Sequence, residues 1–489
     1  MTCSIPSFWT AKVRVRSLPS LSGSRVHKTL KWEELAVTEC DFYVFWFTDL
    51  TGRWQQHRFS SDAVDDAKFE HGFYASSMMT GWRQFGESDL LFKPCRNTEF
   101  KDAAEDSRAR SFISEVWDEQ GVGPYGRDPR GILAKTMAAA AADGWQFQVG
   151  PEIEGYLFDE VRWGLRANDC FYSISEPEGV ENAREPSNPE NRGFVLTHPF
   201  HHLAPTTDYG LKIRSQMVEM MIRSGMRPLH CLHEAGPSQF EIGIMHDDPL
   251  KAGDSVQLFK RLARACGAKA GKIATFMPMP LAFGPGSGMH INLSMWEGTK
   301  NAFYADGSVS KLCMNAIAGI MKHARSLAAF LAPTSNSYLR LSHLYRNDLE
   351  VTYGFGNRSA HIRIPQVVDP AEARIEIRFG DPSANIYLAI AAVMLAALDG
   401  VENDLSPQAD ELKGPVAYGP RDIRLSKPNS LPRTLEDAIL ALDTDKEFLQ
   451  RYGAFSAETI EMHQQILIRR ANAQSLYPNP RDFLEVLDC

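Results

Sequence analysis

Neither a long hydrophobic run nor a paired-cysteine motif occurs in this 489-residue chain. The longest apolar stretch, Leu388 to Leu398, is too short to cross a bilayer and predicts a buried helix instead. Eight cysteines are scattered without a Cys-x-x-Cys pair, which argues against a disulfide scaffold or a thiolate zinc centre. Free thiols of that kind suit a reducing cytosol. Strong charge is missing as well: a net −9 over this length is mild and speaks against nucleic acid or an anionic membrane as partner. Lys12, Arg14 and Arg16 have no apolar segment behind them, so no targeting segment is expected and the expected location is the cytoplasm. No internal repeat or low-complexity tract is evident.

What is present is enough apolar residue to build more than one core, and a chain of this length is expected to divide into domains. From about Asp41 to Phe92, short apolar runs alternate with turns, as in Phe42 to Phe47, Thr51-Gly52 and Trp54 to Phe59. That predicts a hairpin-bearing unit. Residues 1–40 read as an extension with little pattern. Polarity rises between about Lys101 and Asp128, a candidate boundary, and the Ala-rich segment Pro129 to Ala142 predicts the first helix beyond it. Ser175 to Gly193, rich in Pro, Glu and Asn, predicts a surface loop. Leu431 to Leu487 predicts two or three amphipathic helices, the last beginning after Pro478 and Pro480.

Six side chains of metal-ligand type sit in tight motifs. They are Glu152 and Glu154 in Pro-Glu-Ile-Glu-Gly, and Glu234 and Glu241 in Leu-His-Glu-Ala-Gly-Pro-Ser-Gln-Phe-Glu-Ile. His290 closes Gly-Ser-Gly-Met-His, and Glu376 lies in Arg-Ile-Glu-Ile-Arg. Glu152 and Glu154 alternate in an apolar stretch from Trp145 to Phe158, so a strand would turn both carboxylates to one face. Acids pressed together on a buried face repel unless cations neutralise them. Hard oxygen donors with one imidazole suit Mg²⁺ or Mn²⁺. Five carboxylates exceed what one such ion usually takes, which points to two sites.

Together with Phe47 to Arg53, Asn336 to Leu341, Asn357 to Pro365 and Asp381 to Asn385, these motifs occur in one order that resembles the glutamine synthetase family, over most of the chain. The resemblance implies an α+β fold: a small N-terminal β-grasp domain, then a large catalytic domain with a curved antiparallel sheet flanked by helices. The expected division is 1–40 extension, 41–120 β-grasp and 121–489 catalytic. It implies an ATP-dependent ligase that activates the γ-carboxylate of L-glutamate as an acyl phosphate and then couples it to an amine. ATP is the co-substrate, with two or three Mg²⁺ or Mn²⁺ per active site. By this resemblance Glu154, Glu234 and Glu241 would hold the ion nearer the acceptor carboxylate, and Glu152, His290 and Glu376 the ion nearer the nucleotide. Arg358, Arg363 and Arg374 would face phosphates. Arg340 and Arg378 would clamp glutamate, with Gly286 and Gly288 allowing close main-chain approach. Catalysis would fall to Arg358, Arg340 and Glu376. The family forms stacked rings, commonly homo-dodecamers, with each active site between subunits.

The departures from the family pattern carry the rest. A second histidine expected two residues after His290 is Asn292, which can still donate to phosphate, and Ser294 keeps the hydroxyl that follows. Met279 stands where lysine is common. An ammonium pocket needs two acids, but Tyr74 opens the Tyr-Ala-Ser-Ser run in place of aspartate. Arg346 falls where the flap glutamate belongs, by count from both Arg340 and Arg358. A cation must be desolvated and then lose a proton there, and neither replacement helps. A neutral aromatic amine such as aniline fits better, its ring contributing about 2–3 kcal/mol on burial. The expected branch is a γ-glutamyl–amine ligase, γ-glutamylanilide synthetase-like. The alternatives are an authentic ammonia-using glutamine synthetase and, in another class, a catalytically silent ring-forming relative.

Overall fold

The run Phe42–Thr48 is β-branched and aromatic at nearly every position, and it forms β1, the spine of a five-stranded sheet. Its hairpin partner β2 is Trp54–Ser60, with Gly52 at φ 88° in the turn between them. A short helix α1 (Asp66–His71), capped by the Asp65 carboxylate on Lys68 N, leads into β3 (Phe73–Ala75). Strands β4 (Leu90–Pro94) and β5 (Ala109–Trp117) complete the order β2-β1-β5-β4-β3, parallel only between β1 and β5. Strand β5 runs through the polar stretch that the sequence marks as a boundary. Phe112, Ile113 and Val116 are buried, and so are the polar Ser111 and Ser114 of the same strand, so polar composition does not mark exposed chain there. Phe45, Phe47, Phe73 and Phe92 pack the inner face, with Phe47 and Phe92 ring centroids 4.7 Å apart.

The computed structural model describes residues 40–76, 82, 87, 89–105, 108–166, 168–179, 208–282, 284–344, 350–407, 411–413 and 429–475. Arg346, the 1–40 extension up to residue 39, and Pro478 with Pro480 lie outside these residues. Helix α2 (Pro129–Ala142) starts where Asp128 accepts from Arg130 N and Gly131 N and Pro129 presets the first turn. The second sheet then opens with β6 (Gln146–Phe158), the longest strand. A separate hairpin follows, β7 (Glu160–Arg166) and β8 (Asp169–Ser175). Beyond α3 (Leu211–Arg223) come β9 (Pro228–His233), β10 (Gln239–Ile244), α4 (Pro249–Lys269) and β11 (Ile273–Thr275). Strand β12 (Met289–Glu297) precedes three two-residue strands, β13 (Lys300–Asn301), β14 (Tyr304–Ala305) and β15 (Ser308–Val309). Helices α5 (Lys311–Leu331) and α6 (Ser335–Leu344) lead to β16 (Tyr353–Phe355), β17 (Ile362–Ile364) and β18 (Ile375–Ile377). The path of the large sheet is β16-β17-β18-β12-β6-β10-β9, with β11 on β6 and β13 on β12.

Helix α7 (Ile386–Glu402) contains the apolar run noted in the sequence and is buried from Ile386 through Gly400. It packs along α5, and the two backbones nearly touch. A Cβ on Gly319 would sit 2.1 Å from Ala396 O, and one on Gly400 would sit 2.0 Å from Asn315 O. Gly319→Val is therefore expected to destabilise the fold by roughly 3 kcal/mol, as for other overpacked cores. Gly123→Ala, in open space, serves as the neutral control. Urea unfolding midpoints read both, and equal midpoints would refute this packing. Helices α8 (Leu435–Thr444), α9 (Glu447–Gln450) and α10 (Ala457–Ser475) close the described chain. The small sheet is tied to this body through Gln257 Nε2 to Thr48 Oγ1 at 2.9 Å and Asn385 Nδ2 to Asp49 O at 3.1 Å. Among the described residues no helix is long and apolar enough to cross a membrane.

Candidate active site

Register assembles the acids. On β6 and β12, Glu152 lies opposite His290; on β6 and β10, Glu154 lies opposite Glu241. On the far side of β12, Glu376 of β18 faces Asn292, and Arg363 of β17 faces Glu376 in turn. Strand alternation sends these side chains to one face, as the Glu-x-Glu spacing predicts. His290 is the hub. Its Nδ1 lies 3.4 Å from Glu152 Oε2 and 3.4 Å from Glu376 Oε1, and its Nε2 lies 3.6 Å from Glu154 Oε1. Two sets of donors result, Glu152–His290–Glu376 and Glu154–Glu241–His290, and in each the ligand atoms fall within 4.8 Å of one another. Glu234, at the end of β9, stands outside both triplets but is coupled electrostatically to Glu154 and Glu241.

Charge is unevenly compensated across the cage. Burial pushes the Glu234 carboxyl up to about 8, reinforced by Glu154 and Glu241. Burial likewise raises Glu154, with Glu241 adding to the effect against His290. On the other side burial opposes ionisation of Glu152, yet hydrogen bonds from His290 and Asn292 bring it down to about 2. Glu376 is also buried, but Arg378, His290 and Arg363 hold it below the usual carboxylate range. The Glu154–Glu234–Glu241 side is thus the one with surplus acid, and a divalent cation would relieve it. Carboxylate oxygens plus one imidazole nitrogen at this spacing fit a hard divalent ion in either donor set.

Arginines and glycines frame the acids. Arg363 Nη1 reaches Glu376 Oε2 at 2.7 Å, and Arg378 Nη1 contacts Glu376 Oε1. Arg340, 3% exposed on α6, donates through Nη2 to Arg378 O at 3.1 Å. A Cβ on Gly288 would lie 2.7 Å from both Arg340 Nη2 and His290 Nε2, and one on Gly286 would lie 2.5 Å from Arg340 Cγ. Glycine at these positions lets the arginine press against the cage, and Gly288 N donates to Glu154 Oε2 at 2.8 Å. Asn292 is engaged on both ends: Nδ2 donates to Glu152 Oε1 at 2.9 Å, and Oδ1 accepts from Arg374 Nε at 3.1 Å. Ser294 Oγ accepts from Trp296 Nε1 at 2.9 Å. Arg358 is exposed. Tyr74, on β3, is 56% exposed and donates to Glu119 O at 3.1 Å.

Three features escaped the sequence reading. His230 on β9 bonds Glu241 Oε1 through Nε2 at 2.8 Å, and that bond chiefly raises its pKa. Its ring lies over Gly243, where a Cβ would fall 2.4 Å from His230 Cε1. Gln239 Nε2 donates to Glu154 Oε2 and to Gly286 O, both at 3.2 Å. The third is a correction. Residues 175–179 belong to the predicted surface loop Ser175 to Gly193, yet Ser175, Glu176 and Glu178 are 3%, 4% and 0% exposed. Their polar composition is matched by internal donors, which composition alone does not reveal. From residue 180 on, that loop lies outside the described residues.

Residues 126–483 match the family described as "Glutamine synthetase, catalytic domain". The glutamine synthetase of Aquifex aeolicus is 36% identical over 448 residues, covering 89% of this chain and 94% of that protein. The glutamine synthetase of Rhizobium meliloti is 32% identical over 445 residues, again covering 89% and 94%. Among solved structures, Plasmodium falciparum glutamine synthetase superposes with a TM-score of 0.83 at 23% identity, over 96% of this chain and 100% of that one, a likeness of fold. Ligand-free apo GmaS gives a TM-score of 0.75 at 25% identity, over 92% and 97%. The fold and the matches define an enzyme of the carbon–nitrogen ligase class. The chain belongs to the glutamine synthetase family.

Proposed function

We propose that this enzyme transfers the γ-phosphoryl group of ATP to the γ-carboxylate of L-glutamate, releasing ADP, and that a neutral aromatic amine such as aniline then attacks the γ-glutamyl phosphate to form the amide, expelling phosphate and losing a proton. The chemistry that Mg²⁺ or Mn²⁺ would supply here is to offset the negative charge that gathers on the phosphate in the transition state. Glu152, His290 and Glu376 would hold the ion nearer ATP; Glu154, Glu234 and Glu241 the ion nearer glutamate. Arg358 and Arg363 would bind phosphate oxygens, and Arg340 and Arg378 the glutamate carboxylates, through paired charge-assisted hydrogen bonds.

The observation that carries the choice of amine is Tyr74. An exposed aromatic stands on the edge strand of the small sheet where the family places an aspartate. On its own chain its side chain faces outward; against the catalytic sheet of a second copy it would become a wall of the amine entrance. That reading calls for a ring-shaped homo-oligomer, a homo-dodecamer by family resemblance. Phe355, 47% exposed on β16, offers a second aromatic surface. A neutral amine needs no carboxylate to take its proton before attack, so loss of the acid is tolerable for aniline and harmful for ammonium.

A second reading, ammonia as the nucleophile, is favoured by the relatives at 36% and 32% identity, all glutamine synthetases by name. Phosphate release from ATP and glutamate, measured with aniline and with ammonium chloride in parallel, separates the two. The aromatic reading expects aniline to support turnover at least tenfold faster at equal concentration; faster turnover with ammonium overturns it.

A further inference from the structure

Behind the acid-bearing face lies a second polar layer with no role in the scheme above. Glu178 follows β8 and is fully buried, yet its carboxylate meets three donors. Oε2 accepts from Ser238 N at 2.5 Å and faces His233 Nε2 at 2.9 Å, while Oε1 accepts from Tyr209 N at 3.3 Å. His233 Nδ1 lies 2.6 Å from the backbone oxygen of Glu234. Both ring nitrogens therefore face oxygen, and the imidazole is locked between Glu178 and the main chain of an acid of the cage.

The same layer grips the turn between Glu234 and Glu241. Ser238 there has φ 58°, a left-handed conformation that disfavours a residue with a Cβ. Glu178 holds its N–H, Glu176 Oε2 holds its hydroxyl at 2.9 Å, and its carbonyl accepts from Leu157 N at 2.9 Å. Glu178, Asp208 and His233 also place ligand-type atoms within 4.8 Å of one another. A third ion there is disfavoured, because Asp208 already pairs through both oxygens with the buried Arg214, and Glu178 and His233 are occupied as described. What the layer does is fix a turn. Glu154, Glu234 and Glu241 repel one another, and a loose turn would let Glu234 swing away from the pair.

We propose that Glu178 and His233 are positioning residues for the glutamate-side ion: they hold the Glu234 backbone and the Ser238 turn without ligating the metal. This rests on the two-ion reading above. The test is Mn²⁺ titration of the full-length enzyme by electron paramagnetic resonance, with KM measured separately for glutamate and ATP. In Glu178→Gln one of two Mn²⁺ is expected to weaken roughly 10- to 100-fold, the range for outer-layer partners of metal ligands. KM for glutamate rises, KM for ATP stays within twofold, and excess Mn²⁺ restores part of the rate. His233→Gln keeps an ε-position donor towards Glu178 but loses the contact to Glu234, and the same selective loss is expected. It carries the test if Glu178→Gln does not fold. Unchanged affinity at both sites overturns the proposal, as does equal weakening of both with a lowered unfolding midpoint. A wild-type enzyme that binds only one Mn²⁺ overturns the two-ion reading itself, and this proposal with it.

Discussion

Glu376→Gln is expected to lower ATP-dependent phosphate release by about 10³-fold or more while leaving the fold assembled. Glutamine keeps the shape of the side chain, so β18 and its pairing with β12 are not disturbed. It removes the charge of a carboxylate that both Arg363 and Arg378 contact, at a position 1% exposed. It also takes an anionic donor from the Glu152–His290–Glu376 set. An ion polarising phosphate oxygens supplies several kcal/mol to the transition state, and each 1.36 kcal/mol is tenfold in rate. Loss of that ion therefore dominates any local repacking. Mn²⁺ titration should show one ion weakened, and a rate within tenfold of wild type would remove Glu376 from the proposed machinery.

Tyr74→Asp is the second large effect. Placing an acid at the proposed amine entrance should lower KM for ammonium and slow the reaction with aniline, because a carboxylate attracts the cation and the substitution removes an aromatic surface. At a partly exposed site one charge pair contributes about 1–2 kcal/mol, or roughly 5- to 30-fold in the ratio of kcat/KM values for the two amines. The change is on the surface of the single chain, so stability should hold within about 0.5 kcal/mol. An unchanged ratio would show that position 74 does not line the amine path.

Much of the cage was legible because period-two alternation is a local property. Glu152 and Glu154 announce a shared face within three residues, and strands β1 and β2, helix α2 and the buried α7 follow from equally local patterns. The grouping of Glu241 with Glu154 is long-range and was expected only from the family resemblance, and the register that sets Glu376 opposite Asn292 is visible only in the folded sheet. Contacts made by polar residues of unremarkable sequence stayed hidden. His230 looks like any half-buried strand residue until its bond to Glu241 is seen, and Glu178 sits in a stretch whose composition suggests solvent. Composition reports how many polar groups a segment has, not whether the protein itself supplies their partners.

The cage is spread over neighbouring strands that share one hydrogen-bonded ladder, and this limits how such a site can evolve. Inserting or deleting a single amino acid between Gly150 and Glu154 would rotate an acid through the sheet into the hydrophobic interior. New chemistry here is confined to exchanges of side chain at constant length.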